Sequence, residues 1–104
     1  MEITLENHPP YTLDFQHYLI DREFFKNREK QQIQTIKTVC LISQEKENLA
    51  FAEIICGSSD VPQKLFGNMK ALAKTLELLP ITREEKKEFW KQFNEKLDVS
   101  EIQN

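Results

Sequence analysis

Two apolar runs, IQTIKTVCLIS over residues 33–43 and LAFAEIIC over 49–56, flank the polar stretch QEKEN. Both are rich in β-branched residues, and a short polar link between such runs is the signature of a β-hairpin. With residues 44–48 as the loop, Cys40 is expected to face Ala52, Ser43 to face Leu49 and Cys56 to face Ile36. Side chains alternate along a strand. Ile36, Cys40, Ile42, Ala50, Ala52, Ile54 and Cys56 therefore share one side, and Lys37, Ser43 and Glu53 the other. A hairpin alone is marginally stable in water, so this pair needs further strands and a cover.

The cover follows in sequence. Leu65, Met69, Leu72, Leu76 and Leu79 recur at steps of four and three, the spacing of an amphipathic helix over about 61–79. Asp60 and Gln63 have the spacing of a capping box at its start, with Pro62 in the first turn, and Pro80 stops it. Thr82 and Glu85 form a second capping-box pair and open a helix over about 83–97, with Phe89, Trp90, Phe93 and Leu97 as its apolar stripe.

Upstream the signals are weaker. EITLE alternates as a short strand over about 2–6, and NHPP ends it, because each proline removes a backbone donor. YTLDFQHYLI, residues 11–20, alternates at period two through Tyr11, Leu13, Phe15, His17 and Leu19. Tyr11, Phe15, Tyr18 and Leu19 also share a helical face. Its aromatic and threonine content favours a strand. DREFFKNREKQQ is polar apart from Phe24 and Phe25 and reads as a loop or a short helix. Strands followed by helices imply an α+β domain: an antiparallel meander of three or four strands (about 2–6, 11–20, 33–43 and 49–56) with two C-terminal helices on one face. One compact domain over 1–97 is expected, with 98–104 a frayed tail.

The cysteines raise the question of chemistry. Four residues apart along the hairpin ladder, Cys40 and Cys56 stand about 13 Å from each other at strand rise, beyond disulfide reach. Cys40, Cys56, His8 and His17 lack the close ligand spacings of a metal site. The expectation is two buried thiols acting as small hydrophobes, with no metal and no cofactor. Cys56, at a strand end before a helix start, is the remote candidate for a nucleophile, but Asp60 at that start repels a thiolate and only His17 is available as a base. Asp14 and His17 are neighbours only if their segment is helical. GSSDVPQK has the form of a phosphate-binding helix start, for which ordinary capping is a sufficient account. Arg83, Lys87 and Lys91 make a basic row that Glu84 and Glu88 partly neutralise from three residues upstream.

No catalytic constellation assembles, and the chain is read as a non-enzyme. The formal net charge is −3, and residues 1–60 carry 10 acids against 6 Lys and Arg. That balance disfavours nucleic acid and anionic membrane as partners. No apolar run approaches the roughly 20 residues of a membrane span, and MEITLENHPP lacks the basic and apolar regions of a signal peptide, so a reducing cytoplasm is expected. Exposed aromatics ringed by charge are typical interaction anchors. Asp21, Glu23, Phe24, Phe25 and Trp90 are the partner-binding candidates. The reading is a small acidic protein-binding module that occludes or tethers a basic protein, as an inhibitor, immunity protein or antagonist does. The alternative is a subunit of a homo-oligomeric structural or regulatory complex, with a homodimer as its simplest form.

Overall fold

The computed structural model describes residues 1–55 and 64–97, the side chains of residues 33 and 64–66 excepted. Four strands, β1 (Glu2–Ile3), β2 (Tyr11–Lys26), β3 (Glu29–Gln44) and β4 (Glu47–Ile55), precede helices α1 (Lys64–Leu76) and α2 (Arg83–Glu95). The sheet runs β1-β2-β3-β4, each strand antiparallel to the next, so it is the expected meander within an α+β fold.

The core side of the hairpin register is as the alternation requires. Cys40 faces Ala52 and Ile42 faces Ala50, and all four are buried. The turn is different. It is the two residues Glu45 and Lys46, and a bulge between Ile42 and Ser43 sets Ser43 opposite Asn48 instead of Leu49. The bulge absorbs one residue, which tightens the loop without moving the buried face. Glu45 and Lys46 both have positive φ, 51° and 68°, as a two-residue turn matched to strand twist demands. Cys56, Asp60, Pro62 and Gln63 lie outside the described residues.

The larger departure is in length. β2 continues to Lys26 and β3 begins at Glu29, paired without interruption from Tyr11↔Gln44 to Lys26↔Glu29. The segment 21–32 is therefore neither loop nor helix. Asn27 and Arg28, at φ 54° and 65°, close it as a second two-residue turn. Alternation betrays a strand only where one face is buried, and these residues are exposed on both. At the other end β1 is shorter than expected, although Ile3 and Leu5 are both buried.

The helices cover one face of the sheet's lower half. α1 packs on β3 and β4. Its buried residues are Gly67, Asn68, Ala71, Leu72, Thr75 and Leu76, while Met69 is 40% exposed. The inward stripe is thus rotated from the leucine spacing towards a seam of small residues, with Ala71 in the same core cluster as Ala50 and Cys40. Two polar side chains on that seam are satisfied locally: Thr75 Oγ1 donates to the Ala71 carbonyl at 2.7 Å, and Asn68 Oδ1 lies 2.7 Å from His17 Nε2. α2 starts with the expected box. Glu85 N donates to Thr82 Oγ1 at 3.1 Å and Thr82 N to Glu85 Oε1 at 2.9 Å. Phe89 and Phe93 enter the core beside Tyr11 and Phe15.

The two candidate stripes of α1 separate in a stability measurement. Leu72→Ala is expected to cost about 2–5 kcal/mol in urea unfolding, as a buried leucine does. Met69→Ala, on the exposed side, is expected to stay within roughly 1 kcal/mol of the parent.

Candidate interaction surface

The upper half of the β2–β3 ribbon leaves the body. Every residue from Asp21 to Gln32 is exposed, and the molecule measures 58 × 27 × 24 Å. β4 pairs with β3 only from Lys37 onward, and β1 with β2 only at Tyr11 and Thr12. Among the described residues, both edges of this arm lack a neighbouring strand.

Alternation sorts the arm's side chains. Leu19, Asp21, Glu23 and Phe25 belong to the face that the helices cover lower down. Tyr18, Ile20, Arg22, Phe24 and Lys26 belong to the opposite, open face. Phe25 is 77% exposed and Phe24 40%, since no body stands behind either. Glu23 is bound within the arm: Lys30 Nζ lies 3.1 Å from its Oε2, and Gln32 Nε2 donates to its Oε1 at 3.2 Å. Asp21 stands opposite Gln34. Four of the five candidate residues thus share one ribbon. Trp90 is elsewhere, on α2, half-buried and edge-on to Phe93 with ring centres 5.7 Å apart.

The acidic character of the first half is not concentrated on the arm. Residues 21–32 hold Arg22, Lys26, Arg28 and Lys30 against Asp21, Glu23 and Glu29. A denser group of acids is at the opposite end, where Glu6, Glu84, Glu85 and Glu88 line an open groove with Thr4 and Leu5. Glu85 is engaged there. The Thr82 backbone N–H is the chief cause that holds its carboxyl below the ordinary value, against partial burial, and the His8 ring at 2.5 Å adds to it.

The other candidates for chemistry separate. Asp14 and His17 point to opposite faces of a strand, and His17 pairs with Asn68. Cys40 is a free, fully buried thiol, pushed up to about 11 mainly by that burial. Thr38, opposite His17 and fully buried, has a hydroxyl without a hydrogen-bond partner. Arg83, Lys87 and Lys91 are all exposed on α2. No group of three or more His, Cys, Asp or Glu suited to a metal occurs among the described residues. No described helix is long and apolar enough to cross a membrane. What sequence reasoning passed over is the open face of the sheet, with Phe51, Ile55 and Tyr18 exposed on it. Its signal was present: β4 is apolar at both parities, Phe51 and Ile55 as well as Ala50, Ala52 and Ile54. Comparison with protein-family models, curated proteins and solved structures finds no significant match for the chain.

Two measurements check the site's chemistry. A carboxyl with a lowered folded pKa stabilises the fold fully above its unfolded value, and the contribution disappears as pH falls through the folded one. Urea midpoints of the parent and Glu85→Gln are therefore expected to differ at pH 6 and to converge as pH falls below the ordinary glutamate range. Peptide mapping after iodoacetamide at neutral pH should find Cys40 unlabelled in the folded protein and labelled in urea, because a raised pKa and burial both withhold the thiolate.

Proposed function

We propose that this chain is a protein-binding module that acts in the cytoplasm, without catalysis, by occluding or tethering a protein partner, in the manner of an inhibitor, immunity protein or antagonist. The observation that supports this reading is the uncovered arm. A two-stranded ribbon gains little from its own contacts, and this one carries two exposed phenylalanines at its end. Large aromatics on a projecting ribbon bury much area at small cost in side-chain entropy, which suits them as anchors in a partner's cleft.

Phe25 with Asp21, and Glu23 beside them, form the contact surface on the side where the arm overhangs the helices. Phe24 reaches the same partner from the other side, and Trp90 at the rim of α2 offers a second point of contact. The net charge of −3 and the four-glutamate groove favour a basic partner, drawn by long-range attraction that raises the association rate. A buried free Cys40 agrees with a reducing compartment.

Affinity capture from the native host with the parent and with a Phe24→Ala, Phe25→Ala double variant tests the reading. The parent is expected to retain a stoichiometric protein partner, and the double variant to bind it about 30-fold or more weakly, as loss of hot-spot anchors worth roughly 2 kcal/mol would do. Asp21→Lys should lower the association rate and flatten its salt dependence, with little change in dissociation. A partner held equally by parent and double variant contradicts an arm-centred site.

A further inference from the structure

The sheet has one face under the helices and one that no described element covers. A solvated sheet face ordinarily carries polar side chains. Here Leu41 stands directly opposite Phe51, with Val39, Ile55 and Tyr18 on the same face. Phe51 is 64% exposed, Tyr18 48% and Ile55 43%. The Lys37–Glu53 ion pair, at 2.8 Å, satisfies two charges within this patch. Farther up the arm Ile20 and Phe24 lie on the same face, with Arg22 between them.

We propose that this open face binds a second copy of the chain, sheet against sheet and antiparallel, with the two-fold axis near Ile20. Area is compatible with this occupant. An axis near Ile20 overlaps residues 14–26 of β2 in the two copies, roughly 40 Å at strand rise and two strands wide where an arm lies on a body. That is on the order of 400 Å² in plan on each copy, at the small end for specific interfaces. Charge supports the orientation. The arm's end carries Lys26 and Arg28 against Glu29, and the far end carries Asp14, Glu45 and Glu47 against Lys46. An axis near Ile20 lays each arm over the other copy's body, so that Phe24 reaches the level of Val39 and Lys26 that of Asp14. A parallel arrangement would set like ends together.

The two surfaces meet at Phe24 and are otherwise separate. The dimer takes Tyr18, Phe24, Leu41, Phe51 and Ile55 and leaves Asp21, Glu23 and Phe25 on the other face of the arm. Sedimentation equilibrium at about 100 µM, a concentration that loads any dimer of micromolar affinity, tests this. The expected mass is twice 12.3 kDa. Phe51→Glu and Ile55→Glu, exposed positions at which circular dichroism verifies the fold, should each give monomer. Phe25→Glu should leave the dimer intact. Lys26→Glu should weaken it about 10-fold, and adding Asp14→Lys to the same chain should restore it, as a reversed charge pair does. A monomeric parent, a dimer that survives both glutamate variants, a dimer lost in Phe25→Glu, or a charge swap that fails to restore binding overturns the proposal.

Discussion

The packing of α1 on β3 and β4 sets the rest of the structure. Small side chains are buried on both elements: Ala50, Ala52 and Cys40 on the sheet and Ala71 on the helix are all at most 9% exposed. Such a seam leaves little room to shift, since interiors are filled to near-crystal density. It fixes how high the helix sits on the sheet and therefore where the cover ends. Below that level β2 and β3 are core strands. Above it the same strands, still paired residue for residue, have no covered face.

This division explains which parts of the fold the sequence discloses. Cys40, Ile42, Ala50 and Ala52 declare their register because burial imposes alternation on them, and Thr82 with Glu85 declares a helix start because two orphan backbone groups need two specific side chains. Glu45 and Lys46 disclose nothing, since neither is a residue that favours positive φ, and the turn is imposed by the strands on either side. The arm discloses nothing as a strand, for lack of a buried face. The true inward face of α1 is hidden in another way. Asn68 and Thr75 look like surface residues until His17 and the Ala71 carbonyl are placed against them.

The proposed interaction surface was legible as composition but not as geometry. Phe24 and Phe25 among charges mark a candidate contact segment whether that segment is coil or strand. Only the ladder separates them onto opposite faces and sends Phe25 and Asp21 to one side, Phe24 and Arg22 to the other. Trp90 carries a similar local signature, yet it sits on α2 against Phe93, because a tryptophan beside an apolar stripe fills the rim of a core as readily as it anchors a partner. Position along the chain gives no sign of that difference.

The fold and the proposed surface depend on residues 21–32 being a paired ribbon that stands clear of the body. Solution NMR measures this directly through cross-strand Hα contacts and amide exchange. Contacts are expected to follow the ladder up to the turn at Asn27 and Arg28, with extended-strand chemical shifts throughout the arm and amide exchange far faster there than at Cys40 and Ile42. Helical shifts over Asp21–Gln32, or contacts from Phe25 to either helix, would contradict that arrangement.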